Sequence, residues 1–149
     1  MMASGGNDLF RTEGTSSKNV AVKSSTMSNW IYKESPFELS LHCMSQMDST
    51  TVVVTGGYKT NPFKDASKST YFYNLFSEKW TSGPDLVFET AEHGCSFISG
   101  KDGKPTAIVA GGINTAKLNA VQIYNRALDK WESGPPLPQA LNGFQVCFG

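Results

Sequence analysis

Short apolar runs and apolar–polar alternation along the chain are typical of β-strands. ELSLHCM (38–44) alternates apolar and polar side chains, as a strand with one buried face does. TVVVT (51–55) and TAIVA (106–110) are continuous runs rich in β-branched residues, which indicates strands covered on both faces. No stretch keeps the apolar period of a helix, and glycine and proline interrupt the chain throughout. The pattern predicts an all-β fold.

The same series of positions occurs twice, with a period near fifty residues. Each copy has an apolar strand ending in two glycines, a polar loop, an aromatic strand ending in tyrosine and asparagine, and a tryptophan seven residues after that tyrosine. Each tryptophan is followed by x-Ser-Gly-Pro-x-Leu. The repeated positions are Gly56, Gly57, Tyr73 and Trp80 in the first copy, and Gly111, Gly112, Tyr124 and Trp131 in the second. Each copy therefore predicts about four short strands.

The repeated residue types predict how one copy meets the next. A glycine pair allows a positive φ and a close approach of neighbouring backbones, which a crowded region between packed sheets requires. The tyrosine and the tryptophan each bring a large apolar surface that can fill the contact between two sheets. A single four-stranded unit of this size cannot bury both faces, so we expect the units to stack.

Weaker traces of the repeat extend towards both ends. Trp30 lies fifty residues before Trp80, NVAVKSS (19–25) predicts the strand before it, and glycines 5–6 fall where an earlier pair would be, although the tyrosine is missing. NGFQVCFG (142–149) predicts the first strand of a further copy. The expected organisation is a partial unit at 1–36, complete units at 37–86 and 87–137, and the start of another at 138–149.

Two glycines, then tyrosine, then tryptophan seven residues on, resemble the kelch repeat, which forms one blade of a β-propeller. The resemblance covers residues 37–141 in two full copies. It implies four-stranded kelch-type blades, about two complete plus partial ones, in an incomplete propeller, because propellers close with about four to eight blades. Two interpretations of the missing blades stay open. Either the sequence is part of a longer propeller, or copies of it complete a ring by self-association.

The composition narrows the class of partner. Thirteen basic and thirteen acidic side chains give a net charge of zero, which argues against a nucleic-acid surface and against a polybasic membrane surface. No apolar run approaches the roughly 20 residues of a membrane span, and no secretory signal is evident at the N-terminus. Cys43, Cys95 and Cys147 are expected to be reduced thiols, half-buried on three different strands. We expect a cytoplasmic protein.

Candidate chemistry is sparse. No nucleophile elbow, phosphate loop or zinc motif occurs, and we expect no catalytic residue, no metal and no cofactor. His42 and His93 each stand at the start of a unit's first strand, with Asn142 in the corresponding place. We expect both histidines to belong to the structural pattern rather than to bind a metal ion. A loose acidic group is expected to be a solvated loop; its members are Asp85, Glu89 and Glu92.

The loops carry the remaining functional signal. The loop GYKTNPFKDASK (57–68) is four residues longer than its counterpart in the second unit. Length variation in an otherwise fixed repeat is typical of a binding face, although a merely tolerated insertion would give the same pattern. Aromatic and charged residues of the kind that anchor interfaces lie in these loops. The expected partner-binding residues are Tyr58, Lys59, Phe63, Lys64, Phe88, Glu89, Asn114 and Lys117.

The kelch resemblance implies a non-enzymatic interaction module whose loops bind another protein. Propellers of this kind often recognise substrates for ubiquitin-ligase adaptors or serve as cytoskeletal scaffolds. No BTB-like or F-box-like helical region occurs in this sequence. The competing class is a galactose-oxidase-like copper oxidoreductase, which would place tyrosine, cysteine and histidine ligands near the propeller axis.

Overall fold

The computed structural model of the chain describes residues 2–4, 19–22, 31–59, 64–100 and 102–146. Within these segments the fold is all-β, as the apolar pattern predicts, and consists of eleven strands in three antiparallel sheets. No helix of the described segments is long and apolar enough to cross a membrane.

Two of the sheets have four strands and one has three, and each follows chain order. The N-terminal sheet consists of β1 (Met2–Ser4), β2 (Asn19–Val22) and β3 (Ile31–Glu34). Blade 1 consists of β4 (Cys43–Gln46), β5 (Thr51–Thr55), β6 (Thr70–Asn74) and β7 (Lys79–Ser82). Blade 2 consists of β8 (Gly94–Ser99), β9 (Pro105–Ala110), β10 (Val121–Asn125) and β11 (Lys130–Gly134).

Blades 1 and 2 pack face to face, and the repeated aromatic residues lie at or between their faces. Val53 and Phe72 of blade 1 belong to the same apolar cluster as Val109, Tyr124 and Trp131 of blade 2. The rings of Phe72 and Tyr124 are 5.4 Å apart, centroid to centroid. The indole nitrogen of Trp131 is buried and donates a hydrogen bond of 3.0 Å to Oγ1 of Thr70 in blade 1. The tryptophan position therefore combines apolar burial with one directional contact across the blade junction.

The glycine pairs lie where the connection to the next blade crosses the end of the second strand. All four glycines have positive φ, for example +91° at Gly57 and +96° at Gly112. The amide of Gly57 donates to the carbonyl of Thr90 at 2.9 Å, and the amide of Gly112 donates to the carbonyl of Leu141 at 2.7 Å. A side chain at these positions would occupy the space of the neighbouring backbone. The pair is therefore required both by backbone conformation and by close approach.

Cys43 and Cys95 form a disulfide that joins β4 to β8, with their Cα atoms 5.9 Å apart. The expectation of reduced thiols is wrong for this pair. Cys43 lies on the face of blade 1 that contacts blade 2. Cys95 lies opposite Val109 on the adjacent strand β9, and Val109 belongs to the apolar cluster between the blades. Because successive side chains of a strand alternate between faces, two cysteines that do not share a repeat register can still face each other. Cys147 lies outside the described residues.

The N-terminal sheet repeats the register of the blades. Met2 pairs with Val22 and Val22 with Ile31, just as Val53 pairs with Phe72 and Phe72 with Thr81 in blade 1. β1, β2 and β3 therefore correspond to the second, third and fourth strands of a blade. This register is consistent with Trp30 and glycines 5–6 as repeat positions, although these residues lie outside the described segments.

Candidate interaction surface

The connections at the glycine end of both blades form one continuous layer, which we call the loop layer and define as residues 57–59, 64–68, 85–92 and 112–119. The amide of Thr90 donates to the carbonyl of Ser67 at 3.1 Å, which joins the connection between blades to the long loop of blade 1. Ala91 and Ile113 exchange two backbone hydrogen bonds of 2.9 and 2.8 Å, which join it to the loop of blade 2. These contacts make the three loops neighbours on one surface.

Phe88 is the large apolar side chain of the loop layer that reaches solvent, with 43% of its surface exposed. Its backbone is nevertheless fixed. The amide of Phe88 donates to Oε1 of Gln122 at 3.0 Å, and Nε2 of Gln122 donates to the carbonyl of Phe88 at 3.2 Å. Gln122 is itself only 1% exposed. A buried side chain therefore holds the backbone of an exposed aromatic residue in place, so little backbone entropy is lost when the ring is covered.

The same repeat position one blade earlier has the opposite role. Phe37 precedes Phe88 by 51 residues and is only 4% exposed. Its ring lies 4.7 Å from the ring of Tyr71 and 5.2 Å from that of Trp80. Tyr71 occupies the position of Gln122 in blade 1, so blade 2 offers an amide where blade 1 offers an aromatic ring. That exchange leaves the ring of Phe88 without an aromatic partner at the equivalent place. Sequence reasoning missed Gln122, although a polar residue at an aromatic repeat position was a signal.

The charged residues predicted for this surface are exposed where the structure describes them. Lys59, Lys64, Glu89 and Lys117 are all exposed. Asn114 is half-buried, and its Oδ1 accepts a hydrogen bond of 3.2 Å from the amide of Ala116. Asn114 therefore shapes its own loop. The predicted binding residues therefore place three positive charges and one negative charge on the described surface.

Two predicted contact residues stand apart from the rest. Tyr58 is 4% exposed, its backbone pairs with Ser40, and its hydroxyl donates to Oε1 of Glu92 at 3.4 Å. Burial and the Glu92 carboxylate raise the pKa of the Tyr58 hydroxyl. We therefore assign Tyr58 to the framework beneath the loop layer, because a buried ring cannot anchor a partner. Phe63 lies outside the described residues.

The acidic group of this region is not uniformly solvated. Asp85 and Glu89 are exposed. Glu92 is half-buried, and its Oε2 accepts a hydrogen bond of 2.8 Å from Nδ2 of Asn142. Since Glu92 also accepts from Tyr58, its carboxylate links the loop of blade 1 to the chain that leaves blade 2. Glu92 is thus a structural member of the loop layer.

The histidines occupy a repeated place at the blade junctions, and its third occupant is Phe144. The amide of Glu92 donates to the carbonyl of Leu41 at 2.9 Å, and the amide of Gly143 donates to the carbonyl of Glu92 at 2.8 Å. Leu41, Glu92 and Gly143 are therefore equivalent, and so are the residues that follow them, His42, His93 and Phe144. The assignment of Asn142 to the histidine position is wrong. The exchange of an imidazole for a phenyl ring fits a structural role.

His93 and its partner change together between the two junctions. Nε2 of His93 shares a hydrogen bond of 2.9 Å with Oγ1 of Thr55. At the second junction, Ala110 takes the place of Thr55 and packs in the same apolar cluster as Phe144. Burial, together with the nearby His42, lowers the pKa of His93 to about 3. A buried polar pair at one junction is thus an apolar pair at the next.

A double-mutant cycle at this junction should show strong coupling. Thr55→Ala or His93→Phe alone leaves one buried polar group without its partner, which lowers the free energy of unfolding by about 1–3 kcal/mol. The double variant copies the second junction and should regain most of that loss. Urea denaturation measures all four proteins, and additive single effects would contradict the pairing.

The lowered pKa of His93 also predicts that the free energy of unfolding depends on pH, which the same variants can test. The unfolded chain binds a proton at His93 below pH 6.5 while the folded chain does not until about pH 3. The free energy of unfolding should therefore fall as pH drops below 6.5, by at most about 1.4 kcal/mol per pH unit. Asp48 also makes the free energy of unfolding depend on pH. Burial raises the pKa of its carboxyl group, but the hydrogen bonds from Thr50 and Arg126 outweigh burial and lower that pKa. The stability that Asp48 contributes is therefore lost only below the pH range in which carboxyl groups usually titrate. Between pH 6.5 and 4.5 the double variant should lose part of the slope, and an unchanged slope would exclude His93 as its source.

No group of three or more histidine, cysteine, aspartate or glutamate side chains in the described segments could hold a metal ion. Cys43 and Cys95 are bonded to each other, so these two thiols are not available as copper ligands in this structure.

Comparisons with known proteins bear on the repeat. No protein-family model matches the chain. The chain is similar to Kelch-like protein 36 of Bos taurus, with 32% identity over 78 residues, and to Kelch-like protein 36 of Rattus norvegicus, with 31% identity over 78 residues. The two described blades carry kelch repeats. The kelch blades account for the glycine pairs and the tyrosine–tryptophan spacing in the sequence. The aligned part is 50% of this chain and 12% of each relative, so the chain matches only a small part of those proteins.

Proposed function

We propose that the chain is a non-enzymatic protein-interaction module whose loop layer binds another protein. One observation carries the proposal: Phe88 is 43% exposed while its backbone exchanges two hydrogen bonds with the side chain of the buried Gln122. Hot spots of protein interfaces are rigid, large side chains surrounded by polar residues. The exposed lysines and Glu89 supply such a polar rim. The similarity to Kelch-like proteins supports this class of function.

The proposed role is substrate recognition for a ubiquitin-ligase adaptor or attachment of a cytoskeletal protein. Both roles require a surface that binds a partner without changing it chemically. The mixed charge of the loop layer and the net charge of zero favour a protein partner over nucleic acid or a membrane. A cytoplasmic location stays a prediction, and the disulfide between Cys43 and Cys95 argues against it, because disulfides are rare in reducing compartments.

Phe88→Ala should weaken capture of the partner by about 10-fold or more, as expected for an interface anchor. The variant should keep the fold, because both hydrogen bonds with Gln122 involve the backbone of Phe88. The measurement is quantitative mass spectrometry of proteins retained by the immobilised chain. Phe76→Ala is the matched control, since Phe76 is 85% exposed in the turn between β6 and β7, at the other end of blade 1.

A partner that is lost with Phe88→Ala and kept with Phe76→Ala would support binding through the loop layer. Equal retention by both variants would rule out Phe88 as an anchor. Loss with Phe76→Ala alone would move the binding surface to the opposite end of the blades.

A further inference from the structure

A groove lies between β6 and β7 of blade 1 and β10 of blade 2, at the end of the blades far from the glycine pairs. Its volume is about 530 Å³, within the range of about 300–1,000 Å³ that is usual for small-molecule sites. Two aromatic lining residues are covered, since Tyr124 is buried and Phe72 is half-buried. The exposed polar lining includes Asn74, Lys79, Thr81 and Arg126. The groove therefore combines an aromatic floor with a polar rim.

The aromatic floor is shared by the two blades and carries no charge. The ring of Phe72 lies 5.4 Å from the ring of Tyr124, centroid to centroid, and the two planes are tilted by 46°. The hydroxyl of Tyr124 donates to Oδ1 of Asp129 at 2.6 Å. Burial and this hydrogen bond raise the pKa of Tyr124 to about 12, so the phenol stays neutral. A flat apolar group fits such a floor.

Arg126 is held in place and still has hydrogen-bond donors to offer. Its Nη1 donates to Oδ2 of Asp48 at 3.0 Å and to the carbonyl of Pro105 at 2.9 Å. These two bonds orient the guanidinium group. Its Nε and Nη2 donors are not taken by any other described residue. A fixed guanidinium group with free donors is suited to a carboxylate.

Lys79 differs from its counterpart in blade 2 by the loss of an ion pair. Lys130 occupies the same repeat position, one residue before the tryptophan, and pairs with Glu132 at 3.2 Å. Blade 1 has Thr81 in place of Glu132, and no carboxylate of the described residues forms an ion pair with Lys79. The exchange of one residue therefore leaves a cation at the rim of the groove.

The charges of the groove favour an anion. The lining residues that the structure describes include Lys79 and Arg126 and no carboxylate. Asp48 pairs with Arg126 from outside the lining, so one net positive charge remains. Oδ1 of Asn74 accepts the backbone amides of the following turn, which leaves its Nδ2 as a donor. The rim therefore suits a ligand with one negative charge.

We propose that this groove binds a small aromatic carboxylate. The ring of the ligand packs on Phe72 and Tyr124, and its carboxylate accepts hydrogen bonds from Arg126 and Lys79. Because the site uses both blades, the ligand binds the intact junction. The groove is separate from the loop layer, so capture of a protein through Phe88 does not depend on it.

The first test follows the backbone amide chemical shifts of the full chain during titration with 3-phenylpropanoate. We expect saturable shifts at residues 74–81 and 124–126, with a dissociation constant of about 1–10 mM for a ligand of this size. The matched control ligand is 3-phenylpropanamide, which has the same ring without the charge and should bind at least about 5-fold more weakly. Equal affinities for the acid and the amide, or no saturable shift up to about 20 mM acid, would overturn the proposal.

The second test assigns the binding to the two cations. Lys79→Gln should weaken 3-phenylpropanoate binding by about 3-fold or more, and Arg126→Gln by about 10-fold or more. The matched control is Lys130→Gln, which removes the same charge at the same repeat position outside the groove lining and should leave the affinity unchanged.

Urea denaturation checks that each variant is folded. Since Arg126 also binds Asp48 and Pro105, its variant is the one at risk of losing stability. If Arg126→Gln does not fold, the comparison of Lys79→Gln with Lys130→Gln still decides the question, because neither lysine holds another blade in the described residues. Equal affinities of these two lysine variants for 3-phenylpropanoate would overturn the proposal.

Discussion

Gly112→Ala is expected to lower the free energy of unfolding by about 2–5 kcal/mol. The φ angle of Gly112 is +96°, which costs an L-residue about 1–2 kcal/mol. A Cβ there would also lie 2.6 Å from the carbonyl oxygen of Ala91 and 2.8 Å from Cβ of His93, and still closer to Oγ1 of Thr90. Overpacking of this kind adds about 1–3 kcal/mol. Urea denaturation followed by tryptophan fluorescence measures the loss.

Gly103→Ala is the matched control for this prediction. Gly103 also has a positive φ, +74°, but nothing lies within 4 Å of a Cβ placed there. It should therefore lose only the conformational part, about 1–2 kcal/mol. Equal losses at Gly112 and Gly103 would show that the glycine pair serves backbone conformation alone, and that the close approach between blades is not essential.

Removal of the disulfide is the second large effect. Cys43→Ala combined with Cys95→Ala should lower the free energy of unfolding by about 3–4 kcal/mol, because the bond closes a loop between residues 52 apart in sequence. The measurement is urea denaturation with and without reductant. The wild-type chain should lose stability on reduction, and the double variant should not respond.

Thiol counting gives an independent check of the bond. With three cysteines in the chain and two of them bonded, alkylation of the unfolded, unreduced protein should modify one cysteine per chain. Alkylation inside intact cells before lysis tests the bond in its natural compartment. Three modified cysteines per chain in purified, non-reduced protein would contradict the bond between β4 and β8.

The repeated scaffold was predictable because each of its residues has a strict local requirement. A positive φ with a neighbouring backbone in contact accepts glycine alone, so Gly56 and Gly111 had to recur in the sequence. The turn after the third strand fixes the spacing of tyrosine and tryptophan, because Oδ1 of Asn74 accepts the amides of Phe76 and Ser77. Such requirements can be recognised in a single sequence when that sequence contains a second copy of the repeat for comparison.

The contacts between blades were harder to predict, because they depend on the face that each strand presents to its neighbour. Cys43 and Cys95 occupy neighbouring repeat positions, which place their side chains on opposite faces of their own sheets, and they meet because these two faces pack against each other. The histidine equivalence was assigned to Asn142 because sequence spacing within a loop is ambiguous. The chain of backbone bonds through Leu41, Glu92 and Gly143 resolves it.

The candidate surface was only partly predictable for a similar reason. Loop length and residue type indicated the loop layer, but exposure depends on the packing beneath each side chain. Tyr58 is covered while Phe88 is exposed, and the difference between Phe88 and Phe37 follows from one residue in the third strand, Gln122 in place of Tyr71. A comparison of repeats position by position is the sequence-level signal for such exchanges.

The central claim is that the repeated positions form a scaffold and that the loop layer binds the partner. Its most direct test places a photoreactive phenylalanine analogue at Phe88 in one protein and at Phe76 in another. On irradiation in cell extract, position 88 should give a reproducible adduct with a protein other than this chain. Excess wild-type chain should suppress that adduct, and excess Phe88→Ala should not. The same adduct from position 76, or from both positions equally, would contradict the claim.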